Sequence, residues 1–92
     1  MSRPKKPRRL CFQPNVRYFK PVGVPLRSLK EVVLTHDEIE AIKLHDVDQL
    51  DQIAAAQSMH ISQSTFARIL KSAYRKVAIG LIRGQAIKIV IH

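Results

Sequence analysis

DQIAAAQSMHISQSTFARILKSAYRKV, residues 51–77, reads as two helices meeting at a tight turn. In the second helix Ser62 is a natural N-cap, because its hydroxyl can accept a hydrogen bond from an orphan amide of the first turn. After it, Phe66, Ile69, Leu70, Ala73 and Val77 recur at helical spacing and form one apolar face. Gln63, Ser64, Ala67, Arg68, Lys71 and Arg75 lie off that face, small or polar at the N-terminal end and basic further along. A helix that reads DNA needs this order, with short hydrogen-bonding side chains for base edges and long cations for phosphates. The first helix is shorter. Asp51 can cap it, Ile53, Ala56 and Met59 are expected to face inward, and Ile61 just past the turn should fill the gap between the helices. The combination predicts a helix-turn-helix with its core at 51–77. The turn usually places glycine where the chain enters left-handed space, and here it has His60, which tolerates that region at some cost. The competing reading of the same pattern is an ordinary helical hairpin whose basic stripe is a solvated face.

The charge is laid out in blocks. Residues 1–34 carry a net +8, residues 35–61 a net −5 and residues 62–92 a net +6, giving +9 for the 92-residue chain. Two basic blocks flanking an acidic middle suit a polyanion gripped at the first and last blocks while the acids face elsewhere. Residues 1–9, MSRPKKPRR, hold nothing that could pack a core and read as a flexible basic arm able to lie along phosphates or enter a minor groove. A solubilising tail would look the same. Residues 10–92 are then expected to form a single domain. The lone cysteine, Cys11, permits no internal disulfide, which suits a reducing cytoplasm. No hydrophobic run approaches membrane-spanning length, and the basic N-terminus lacks the apolar segment of a signal peptide.

Residues 10–34 contain three prolines and a glycine, which excludes a long helix. Short extended pieces are expected at residues 10–12 and 16–19, and either a strand or a lead into a helix at 32–34. Tyr18 and Phe19 could stack on bases, but core packing is the favoured expectation in a domain with few other large side chains. Thr35 and Glu38 form a capping box, and Leu34 and Ile39 a hydrophobic staple, starting a helix that should end near residues 45–47. Gly84 is a stop signal for the last helix. Beyond it, AIKIVI (residues 86–91) is strongly β-forming and needs a pairing partner. That partner is either a strand from residues 10–19 or the same strand of a second copy, which would make a homodimer suited to palindromic DNA. The fold class expected is mainly α, a small helix-turn-helix domain of three helices with short N- and C-terminal β-strands.

Signatures of catalysis are missing from the sequence. Cys11 and the histidines at 36, 45, 60 and 92 do not have metal-ligand spacing, and Asp46, Asp48 and Asp51 do not fit a calcium loop. There is no glycine-rich phosphate loop and no nucleophile elbow. The expectation is a non-enzymatic protein with no cofactor.

Two resemblances extend this reading. Ile53-Ala54, His60-Ile61, Ser62-Gln63-Ser64-Thr65 and the helix from Phe66 to Lys76 resemble region four of bacterial sigma factors. Over about residues 3–89 the chain resembles the family of predicted DNA-binding proteins called domain of unknown function 134. The matching pieces are Arg8-Arg9, Tyr18-Phe19-Lys20-Pro21, Gly23-Val24-Pro25-Leu26, Glu31-Val32-Val33-Leu34-Thr35, Asp37-Glu38, Ser62, and Thr65-Phe66 with Arg68-Ile69-Leu70. The resemblance implies a sigma-like helix-turn-helix and a role in transcription. His60 departs from it, standing where that family usually has glycine.

The candidate contacts are therefore Gln63, Ser64, Thr65 and Arg68 at or beside base edges. Lys71 and Arg75, with Arg3, Lys5, Lys6, Arg8 and Arg9 of the arm, are the candidates for phosphates. Double-stranded DNA is the expected partner. Two alternatives use other residues: a module contacting RNA polymerase through the acidic segment 37–51, and an RNA binder using the arm with Tyr18 and Phe19.

Overall fold

The computed structural model describes residues 16–90. The arm at 1–9, the extended piece expected at 10–12 and Cys11 lie outside the described residues. In chain order the elements are β1 (Val16–Phe19), a 3₁₀ turn (Leu26–Ser28), β2 (Glu31–Leu34), α1 (His36–Ile42), α2 (Gln52–Ser58), α3 (Gln63–Arg83) and β3 (Ala86–Val90). One π-helical turn, Lys43–Val47, prolongs α1. The architecture is the expected one, three helices with short strands.

Each helix begins on the cap its sequence supplies. At α1 the Thr35 side chain accepts from the Glu38 amide and Glu38 accepts from the Thr35 amide, closing the capping box. Asp51 caps α2 by accepting from the Ala54 amide at 2.8 Å, and Ser62 caps α3 by accepting from the Thr65 amide at 3.1 Å. Gly84 ends α3 in left-handed space, at φ 66°.

Helix α3 is the axis of the domain. Its N-terminal half packs Phe66 and Leu70 against Ala41, Leu44, Ala55 and Ala56 of the other two helices. Its C-terminal half packs Ala73 and Val77 against Leu34, Ile87 and Ile89 of the sheet. Gly80 sits where β3 returns across the helix, and a side chain there would collide with Ile87.

The strands form one three-stranded sheet in the order β1-β3-β2. β3 is the central strand, antiparallel to β1 with Tyr18 opposite Lys88, and parallel to β2 with Leu34 opposite Ile89. The pairing partner that residues 86–91 require is thus supplied by the chain itself, on both edges. A second copy could pair with β3 only by displacing β1 or β2.

Two expectations are corrected. Tyr18 and Phe19 are not core: they are 38% and 56% exposed. β1 is an edge strand, so Phe19 stands at its open end, while the core is filled by aliphatic side chains and Phe66. Ile53 is also outside, 56% exposed, and Ala55 with Ala56 takes the inward position on α2. Close approach of α2 to α3 needs small side chains at the contact, which size rather than spacing decides.

Candidate nucleic-acid interface

The link between α2 and α3 is a Schellman turn. The His60 amide donates to the Gln57 carbonyl and the Ile61 amide to the Ala56 carbonyl, while His60 takes φ 59°. Ile61 turns back onto the α2–α3 core, the hydrophobic contact that accompanies this motif. The geometry expected of a glycine is therefore built with histidine. His60→Gly should raise stability by about 0.5–1 kcal/mol, read as a higher urea midpoint at unchanged slope, because glycine removes the Cβ penalty of left-handed backbone. Gln49, at φ 62°, is a second such position, between α1 and α2, that the sequence did not signal.

With α2 and α3 fixed at this angle, α3 presents a defined outer row. Gln63, Ser64, Arg68, Lys71 and Arg75 are all exposed, as is Ala67 between them. On a helical projection Ser64, Arg68, Lys71 and Arg75 fall within an arc of about 60°, directly opposite Phe66. No hydrogen bond or ion pair to another described residue engages the side chains of Gln63, Arg68, Lys71 or Arg75. The neighbouring Lys76 behaves differently. Its ammonium donates to Glu38 and to the Val33 carbonyl, both at 2.8 Å, so this cation belongs to the interior.

Thr65 stands apart from the row. It is half-buried on the flank of the stripe, and its hydroxyl accepts from Ser62 at 2.9 Å as part of the cap. Its first duty is to hold the start of the helix. The start itself is electropositive: the first turn of α3 contains no acid, whereas α1 has Asp37 and Glu38 in its first turn.

The acidic segment has mostly intramolecular work. Glu38 is buried and accepts from Ser72 at 2.6 Å as well as from Lys76. Asp46 accepts from the Tyr74 hydroxyl at 2.5 Å, Asp48 pairs with Lys43 at 2.8 Å, Glu40 lies 3.7 Å from His36, and Asp51 is a cap. Desolvation, followed by the hydrogen bond and negative charge of Asp46, pushes the Tyr74 phenol up to about 12. α1 thus crosses beneath α3 and holds it from both flanks, with Glu38 on one side and Asp46 on the other. These two polar ties were not legible in the sequence. Partners 28 to 38 residues apart carry no local signature.

Tyr18 and Phe19 are consecutive on β1, so their side chains alternate across the strand and cannot form one stacking platform. Among the described residues no group of three or more His, Cys, Asp or Glu side chains could hold a metal ion. No described helix is long and apolar enough to cross a membrane.

The sequence profile described as "Protein of unknown function DUF134" matches residues 1–92. The chain belongs to this family. Similar proteins include a UPF0251 protein of Caldanaerobacter subterraneus subsp. tengcongensis, 49% identical over 97% of this chain and 75% of its own length. A UPF0251 protein of Moorella thermoacetica is 52% identical over 97% of this chain and 60% of its own length. One from Vibrio vulnificus is 47% identical over 95% of this chain and 87% of its own length. No solved structure matches the chain. The family's description names no activity, so the functional reading rests on the geometry above.

Proposed function

We propose that the protein is a non-enzymatic, cytoplasmic, sequence-specific double-stranded DNA-binding protein that regulates transcription, with the N-terminal half of α3 in the major groove. The observation that carries the reading is the outer row of α3, held by a Schellman turn and three side-chain caps, in which the Gln63, Arg68, Lys71 and Arg75 side chains are not engaged inside the described fold and Ser64 meets only the Ser62 hydroxyl. Gln63, Ser64 and Arg68 would meet base edges, with Thr65 beside them and Ala67 small enough to let the backbone approach. Lys71 and Arg75 follow one to two turns later, where a helix entering the groove passes the phosphates. The row from residue 63 to residue 75 runs about 18 Å, longer than the ~12 Å width of the groove, so its basic end reaches the backbone. The arm, with Arg3, Lys5, Lys6, Arg8 and Arg9, adds phosphate contacts. The polymerase-contact alternative is weakened by the internal engagement of five of the six acids it would use.

Two substitutions test the assignment. Arg68→Ala should cost about 1–3 kcal/mol on the preferred sequence and flatten the preference at one base position. Lys71→Ala should weaken binding to every duplex about equally and lower the salt slope by about one. Both are read by fluorescence anisotropy on matched and mismatched duplexes across salt. Equal losses on every sequence from both variants would overturn the division of roles.

A further inference from the structure

Residues 77–82 of α3 are VAIGLI, apolar all the way round the helix. A helix of that kind is ordinarily covered on every side. Here Val77 and Gly80 pack on the sheet and Ile79 is half-buried, while Leu81 and Ile82 remain 72% and 84% exposed and Ala78 is open. Leu81 also borders a groove of about 420 Å³ shared with Phe19, which is 56% exposed. One turn and more toward the N-terminus Tyr74 is 43% exposed on the same flank, and Val47, next to the Asp46 that Tyr74 donates to, is 70% exposed. No charged residue falls within residues 77–82, which Lys76 and Arg83 bracket, and Arg75 follows Tyr74 directly.

We infer that this face is the contact of α3 with α3 of a second copy, antiparallel and centred near Ala78, so that the DNA-binding unit is a two-fold dimer. Area and spacing select a second copy as the occupant. The first is area: the exposed parts of Phe19, Val47, Tyr74, Leu81 and Ile82 come to roughly 600 Å². Covered reciprocally, that face buries over about 1,000 Å² in all, the scale of a specific interface. Ala78 at the centre lets the helix backbones approach. The second is spacing, which rests on the proposed DNA reading. An antiparallel pairing about Ala78 places the two Arg68 positions ~30 Å apart along the helices, with the contact rows 64–71 spanning separations of about 20–40 Å. This brackets the ~34 Å between successive major grooves on one side of a duplex. The seam is centred only about 60° from the basic row on the helix, but the partner helix ends at Arg83, opposite residue 73, so Ser64, Arg68 and Lys71 lie beyond the helix contact and are left to face DNA.

The test uses the full chain, with analytical ultracentrifugation in the absence of DNA and titration against duplexes carrying one or two copies of the selected half-site. Wild type should sediment as a dimer, and Leu81→Glu and Ile82→Glu, both at exposed positions, should sediment as folded monomers by circular dichroism. The monomers should keep wild-type affinity for one half-site and lose about 10²-fold on the paired site, the gain that linking two modules brings. A wild type that is monomeric both free and on paired sites overturns the dimer. So does a dimer that survives both substitutions, which would move the contact to another surface such as the β1 edge. Failure of the monomeric variants and of wild type alike to bind any duplex, with the dimer intact, refutes the DNA reading and leaves the interface standing.

Discussion

Phe66→Ala should lower the stability of this domain by about 3–5 kcal/mol, the range for removing a fully buried aromatic side chain. Phe66 is 0% exposed and is the largest side chain in the core. It lies where α1, α2 and α3 meet, against Ala41, Leu44, Ala55 and Ala56, and its ring stands T-shaped to that of His45 at 6.4 Å between centroids. The alanines around it cannot swing into the space it would leave. A domain of this size has a total stability of about 5–10 kcal/mol, so the variant should be near the edge of folding. Its melting temperature should fall on the order of 15–25 °C in a calorimetric scan. Because Phe66 fixes the angle between the helices, DNA affinity should be lost together with the fold, in contrast to Arg68→Ala. A loss below about 1 kcal/mol would contradict this account of the helix-turn-helix core.

The second large effect belongs to Glu38. The residue is 6% exposed, and its carboxylate starts α1 and receives Ser72 and Lys76 from α3. Desolvation alone would raise its pKa. The hydrogen bonds from Lys76, Ser72 and the Thr35 amide, with the charge of Lys76, outweigh it and hold the group below its ordinary 4.5. The sign follows directly. A carboxyl depressed on folding contributes stability that is fully present above its unfolded pKa and is lost as pH falls through the folded one.

Glu38→Ala should therefore cost about 2–3 kcal/mol at neutral pH. That is below the loss for a wholly buried pair, because the Lys76 side chain is 30% exposed and can turn toward water. Urea midpoints of wild type and variant should converge as the pH falls below about 4.5, where the wild-type contribution disappears. Adding Lys76→Met to Glu38→Ala should recover part of the loss by removing the stranded ammonium. A difference that stays constant down to pH 2 would show that the carboxylate is not what α3 is tied to.

The local grammar of this chain was legible because it is written in neighbouring residues. Thr35 with Glu38, Asp51, Ser62 and Gly84 each fix a helix end through partners within a turn of themselves, and all four act as their sequence context implies. The outer row of α3 followed from the same periodicity that assigned Phe66 and Leu70 to the core. What escaped was decided by tertiary contact. Ile53 lost the inward position to Ala55 because helix separation set a size limit. Tyr18 and Phe19 stayed exposed because β1 took an edge. The central position of β3, which removes the need for a partner chain there, depends on a parallel pairing with β2 across three intervening helices. The arm at 1–9 lies outside the described residues, and its part in the candidate site rests on charge alone.

The central claim, that α3 reads DNA sequence, is tested most directly by selecting from randomised duplex DNA with the purified full chain at two salt concentrations and sequencing what binds. An enriched motif that survives the higher salt at reduced affinity is expected, arranged as two half-sites about one helical turn apart. Salt-sensitive binding without any enriched sequence, or no binding even at low salt, would contradict it.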